Sequence, residues 1–143
     1  MRYRVDPLNT PRKPMLSSLI SNGQPQSPDQ SDLMVPWWSF TKTVLAATAL
    51  TLVRDRLINL DEPLLDQPFT LRQLLRHEAG LADYGELAQY HAAVNNSEPA
   101  WSAAEMMQRL DGARLRYSPG TGWRYSNVGY WLIGRLIERL TDL

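Results

Sequence analysis

Proline placement limits how this chain can fold more than any other feature: six of its ten prolines fall in the first 36 residues, among Ser, Asn, Gln and Asp. Proline interrupts helices and central strands, and so polar a stretch can bury little apolar surface. Residues 1–36 therefore read as a polar leader with at most a short strand or hairpin: a strand around residues 16–20, with Ser21-Asn22-Gly23 as its turn. The packed body is expected from residues 37–143, where the pattern becomes helical. A chain of 143 residues normally makes one domain, and a formally neutral one has no basic excess for nucleic acid. With no cysteine there is no disulfide or thiolate chemistry, and the redox compartment stays open.

Residues 39–56 are apolar nearly all round, as expected of a helix at the centre of a domain. The uncharged run at 43–53 is well short of the roughly 20 residues needed to cross a bilayer, so it reads as a buried helix and not a transmembrane segment. Thr70 and Gln73 form a capping-box pair that starts a helix running to about Arg76 and ending before Gly80. Ser102 and Glu105 form a second, starting a helix to about Leu110. Pro119-Gly-Thr-Gly122 forces a tight connection. Residues 128–140 are amphipathic, with Val128, Leu132, Leu136 and Leu140 along one face and Arg135 and Arg139 outside it. The N-terminus, Met1-Arg-Tyr-Arg-Val-Asp6, is positively charged but leads into Pro-rich polar sequence instead of an apolar core. It does not read as a secretory signal, which makes the cytoplasm the default compartment.

Two short motifs carry the chemistry. Ser39-Phe-Thr-Lys42 at helical spacing puts a hydroxyl and an amine on one face, Cβ atoms roughly 5–6 Å apart. Serine is a poor nucleophile until a base takes its proton, and lysine can serve if burial or positive charge lowers its pKa. The chain has thirteen arginines but only two lysines, Lys13 and Lys42. Arginine stays protonated and cannot act as a base, and chance matches to Ser-x-x-Lys number only ~0.14. Tyr125-Ser126-Asn127 adds a second proton carrier and an amide for a substrate carbonyl. Together they point to acyl transfer through a serine ester without a catalytic histidine. The plainer alternatives are that Ser39 caps a helix, Lys42 is a solvated first-turn cation, and Tyr125-Ser126-Asn127 is a helix N-cap after a turn.

Other candidates are weaker. His77 with Asp83 suggests a Ser-His-Asp triad, but no Gly-x-Ser-x-Gly elbow exists, and a structural role is the better reading of His77. His91 stands alone on a polar helix and reads as solvated. His77-Glu78 lacks a second histidine four residues on, so no metal site is expected. The five tryptophans are more often core than ligand platform. Trp38 and Trp123, each beside a motif, are the two retained as substrate-binding walls.

Four stretches resemble the penicillin-recognising serine hydrolases, the family of class C β-lactamases, D-alanyl-D-alanine carboxypeptidases and related esterases. They are Trp38-Ser-Phe-Thr-Lys-Thr43; Phe69-Thr-Leu-Arg-Gln-Leu-Leu-Arg-His-Glu-Ala-Gly-Leu-Ala-Asp-Tyr84; Ser118-Pro-Gly-Thr-Gly-Trp-Arg-Tyr-Ser-Asn-Val-Gly-Tyr130; and Ile133-Gly134 with Ile137-Glu138. Order and spacing match as well, over about three quarters of the chain. Tyr in the first place of the second motif is similar to the class C and esterase branch. The resemblance implies an α+β serine β-lactamase and penicillin-binding-protein fold, of which this chain would hold mainly the helical part and little of the sheet.

It also implies roles. Ser39 resembles the nucleophile that forms the acyl-enzyme, and Lys42 the general base or the charge that lowers the tyrosine pKa. Tyr125 resembles the proton shuttle and Asn127 the substrate-orienting amide. Which of Lys42 and Tyr125 takes the first proton stays open. A helix N-terminus at Ser39 would favour developing negative charge, with the Ser39 N–H as one oxyanion donor. No cofactor is implied; the partner is a small-molecule ester, peptide or β-lactam substrate. Family members continue past the last helix to a third motif, a Lys/His-Thr/Ser-Gly strand, which is not found before Leu143. Residues 37–143 are thus expected to be an incomplete, truncated domain, with self-association through apolar surface the sheet would cover. Two readings follow: a serine hydrolase acting on an ester, amide or β-lactam, or a non-catalytic remnant or binding module of the same fold.

Overall fold

A computed structural model describes residues 19–27, 34, 36–111 and 114–142. The chain separates into two compact units, Met1–Pro36 and Trp37–Leu143. In the first, β1 (Ile20–Ser21) pairs antiparallel with β2 (Gln24–Pro25), Ile20 opposite Pro25 and Ser21 opposite Gln24. Asn22 and Gly23 turn the chain with φ of 50° and 74°, the left-handed pair that a two-residue hairpin needs. Ser21 thus belongs to the strand and not the turn. The part of the expected strand at residues 16–18 lies outside the described residues.

The second unit holds α1 (Thr41–Arg54), α2 (Leu71–Leu75), α3 (Ala88–Asn95), α4 (Ala103–Arg109) and α5 (Asn127–Thr141). A 3-10 turn, Trp38–Phe40, leads into α1. Ser39 therefore lies in this turn, before the regular helix. Thr70 and Gln73 make the full capping box of α2, hydroxyl to Gln73 N–H and Gln73 side chain to Thr70 N–H. Ser102 caps α4, but Glu105 turns to Arg109 four residues on and no reciprocal bond forms. Ser126 caps α5 through Gly129 N–H.

The core lies where α5 crosses α1 and α2. Phe69, Leu71, Leu74 and Ile133 are fully buried, packed with Ala49, Tyr130 and Leu136. A smaller cluster joins Ala82, Leu110 and Val128. Gly80 makes the tightest crossing: at φ +79° a Cβ there would stand 2.3 Å from Tyr117 O, so no side chain fits. No described helix is long and apolar enough to cross a membrane.

One expectation is corrected. The helix at 39–56 is buried on one side only: Ala49 and Leu52 are covered, while Phe40, Val44 and Leu50 are exposed. The reason is that burial depends on what packs against a helix. Among the described residues, α5 and the segment carrying Ile58 and Leu60 share the core with α1, and its opposite face stays open.

Candidate active site

Crossing of α1 and α5 brings the two motifs together. Ser39 Oγ lies 2.8 Å from Tyr125 Oη, a hydrogen bond spanning 86 residues. Lys42, on the first turn of α1, donates from Nζ to Asn127 Oδ1 at 2.7 Å. Its ammonium also stands 4.9 Å from the Tyr125 ring centroid and 5.7 Å from that of Tyr130. Lys42 is therefore not a solvated cation, and Ser39 is no helix cap. Tyr125-Ser126-Asn127 is both the start of α5, with Ser126 as its N-cap, and the opposite wall of this cluster.

Burial raises the Tyr125 hydroxyl pKa, but the approach of the Lys42 ammonium and the hydrogen bond with Ser39 outweigh it, holding the group below the ordinary tyrosine value. A phenol held low and hydrogen-bonded to a serine can accept that serine's proton.

Asp83 fixes the second row of the site. It is 5% exposed and caps the start of a short 3-10 turn, Tyr84–Glu86, its Oδ1 accepting from Gly85 N–H at 2.8 Å. Oδ2 accepts from the Asn127 backbone N–H, and Oδ1 from Asn127 Nδ2 at 3.2 Å. A carboxylate accepts only, so it must face the NH2 of the Asn127 amide, and Oδ1 of that amide is left facing Lys42. The chain thus sets Asn127's orientation through a residue 44 positions away. The other Nδ2 hydrogen has no partner among the described residues.

His77 plays no part in a triad. Its Nδ1 accepts from Ser126 N–H at 3.1 Å, and its ring lies against Tyr125 and Tyr130, with centroids 4.7 and 5.2 Å away. Burial first, then the Lys42 charge, pushes its pKa below the usual histidine value, with Asp83 opposing. The imidazole is a neutral acceptor under the tyrosine. It lies just past the C-cap of α2, Arg76, at φ +60°, where the chain reverses through Glu78 N–H to Gln73 O. His91 is exposed, but its Nε2 lies 2.8 Å from Gly85 O.

Trp38 is exposed at φ +42°, and Trp123 is exposed and forms a T-shaped pair with His77. Neither lines the largest described cleft. That cleft, about 440 Å³, has Tyr84, Tyr90, Trp101, Met106, Asn127 and Trp131 in its lining. Sequence reasoning missed these residues and the role of Asp83. For Asp83 a weak signal existed, an acidic residue closing the Ala-Gly-Leu-Ala segment after α2. For the cleft there was none beyond aromatic content.

Comparison with known proteins shows the family and the fold. Residues 17–143 match the Beta-lactamase family. A Dichelobacter nodosus protein with a fimbrial-assembly name, FimD of serogroup D, is 30% identical over 71% of this chain and 28% of its own length. Lovastatin esterase of Penicillium rubens is 28% identical over 85% of this chain and 37% of the esterase. The crystal structure of D-amino acid amidase from Ochrobactrum anthropi SV3 complexed with L-phenylalanine amide superposes with a TM-score of 0.65 at 28% identity. That match covers 88% of this chain and 44% of the amidase. The chain thus spans less than half the length of each of these relatives. It has the β-lactamase-like fold, chiefly helical with a two-stranded sheet among the described residues, and it belongs to the beta-lactamase family of serine hydrolases.

Proposed function

We propose that this chain carries the acylating centre of a serine hydrolase that acts on a small-molecule ester, amide or β-lactam. The observation that carries the reading is the Ser39 Oγ to Tyr125 Oη hydrogen bond, 2.8 Å, beside a lysine ammonium. Tyr125 touches the nucleophile, whereas Lys42 Nζ is engaged as a donor to Asn127. This supports Tyr125 as the first base and Lys42 as the charge that keeps it ionisable.

In the proposed step Tyr125 phenolate takes the Ser39 proton as Oγ bonds to the substrate carbonyl carbon. The carbonyl π electrons move to oxygen, toward the Ser39 N–H in the 3-10 turn that leads into α1. Collapse breaks the bond to the leaving oxygen or nitrogen, which receives the proton from Tyr125. Water then hydrolyses the acyl-enzyme by the reverse proton path. Asn127 offers its remaining N–H to the substrate. The esterase and amidase names among the relatives support ester and amide carbonyls as substrates.

A fluorophosphonate probe tests this by intact-protein mass spectrometry with peptide mapping. One adduct on Ser39 is expected, absent in Ser39→Ala, and formed ~10²–10⁴-fold more slowly in Tyr125→Phe. No adduct, or one on Ser102 or Ser126, would support a non-catalytic module of the same fold instead.

A further inference from the structure

The cleft beside Asn127 is built from parts that the acylating step does not use. Tyr84 packs against Tyr90 at a tilt of 58° with centroids 4.9 Å apart, and Tyr90 and Trp101 meet in a T-shaped pair at 5.9 Å. Trp101 is held from behind by the Arg109 guanidinium, 4.4 Å from its ring, and Arg109 is in turn paired with Glu105. The rings therefore form a braced apolar wall. Trp131, one turn along α5 from Asn127, and Met106 on α4 face the same space. Its volume, about 440 Å³, is that of a small-molecule site and not of a packing defect.

Position relative to the chemistry decides which part of a substrate it would hold. Asn127, whose amide meets Lys42, lines the cleft, while Tyr125, the group proposed to protonate the leaving atom, does not. The cleft thus meets the site at Asn127 and not at Tyr125. Among the described residues Glu98 is the one carboxylic acid in its lining, which disfavours an anionic occupant.

We propose that this cleft is the acyl-group pocket of the hydrolase and selects substrates whose acyl part ends in a neutral bulky apolar group, an aryl ring foremost. The proposal rests on the acylating reading above for the word acyl, and on the cleft alone for aryl binding.

Two measurements separate those parts. Binding of 2-naphthamide, titrated by saturation-transfer NMR, reads the cleft without chemistry. Ser39 labelling by fluorophosphonates that differ only in a methyl or benzyl group on phosphorus reads the acyl side; Oγ–P forms, P–F breaks and fluoride leaves. We expect the benzyl probe to react about tenfold faster or more, the usual size of an apolar-pocket preference. Val94→Trp fills the cleft from its exposed rim and Trp101→Ala removes a wall; each should weaken 2-naphthamide at least tenfold and bring the benzyl-to-methyl ratio toward one. Val44→Asp, on the open face of α1, should change neither.

A ratio near one in the parent chain, or a ratio and affinity unchanged in both cleft variants, overturns the proposal. So does loss of 2-naphthamide in Val44→Asp alone, which would place binding on α1. If Ser39 takes neither probe, the hydrolase reading and the acyl assignment fall together, and the naphthamide series still decides whether the cleft binds aryl groups.

Discussion

Replacing Asp83 tests the link between fold and site most directly. The carboxylate accepts three hydrogen bonds, from Gly85 N–H, Asn127 N–H and Asn127 Nδ2, at a position 5% exposed. Hydrogen bonds to a charged group contribute about 1.5–3 kcal/mol each, and a carboxylate at a helix start adds about 0.3–1 kcal/mol. These terms share partners and do not add in full. Asp83→Ala, which also strands two backbone donors, should therefore cost about 3–5 kcal/mol. Against a total of about 5–15 kcal/mol, that is a large fraction. Asp83→Asn keeps the shape and one acceptor but points an NH2 at a donor, so about 2 kcal/mol is expected. Urea denaturation followed by circular dichroism at one protein concentration ranks them: parent, then Asp83→Asn, then Asp83→Ala. Asp61→Ala serves as the contrast, because its ion pair with Arg72 is exposed and its midpoint should not move. A midpoint for Asp83→Ala within 1 kcal/mol of the parent would refute the reasoning.

Other outcomes follow from the same contacts. If Tyr125 is the base, labelling of Ser39 rises with pH through a limb below the usual tyrosine value of about 10, and Lys42→Gln moves that limb upward; rates measured across pH decide it, and an unmoved limb removes Lys42 from the mechanism. His77 has a lowered pKa, so below about 6.5 the unfolded chain binds its proton first: stability should fall as pH drops through that value, more steeply than in His77→Gln, by thermal melts at pH 5 to 8. The open face of α1 should make the chain self-associate, seen as concentration-dependent light scattering that is lost in Val44→Asp/Leu50→Asp; a monomer at all concentrations would contradict it.

Local signals were legible in the sequence and distant ones were not. Thr70 and Gln73 could be read as a capping box because the whole device lies within four residues, and both bonds form. Ser102 with Glu105 offered the same pattern, yet Arg109 at i+4 competes for the Glu105 carboxylate and wins. Ser39, Lys42, Tyr125 and Asn127 could be singled out by residue type and spacing, though nothing local says that α1 and α5 cross at the angle that joins them. Asp83 and the wall of Tyr84, Tyr90, Trp101 and Trp131 escaped because their meaning lies in partners far along the chain. The all-round apolar character of residues 39–56 misled for a related reason: composition describes a helix, while burial describes its neighbours.

The Ser39–Tyr125 and Lys42–Asn127 contacts bridge 86 and 85 residues, and both span the crossing of α1 and α5. They act as a gauge of the register between those two helices. Sliding α5 by one residue would rotate its side chains by about 100°, carrying Asn127 away from Lys42 while every backbone bond of the helix stays made. Even a 1 Å error at such a centre can cost about a hundredfold in rate. On the proposed mechanism, a preparation can therefore show full helical content and an unreactive Ser39. Ser39 labelling, more than any spectroscopic measure of helix, would then report whether this fold has closed in the right register.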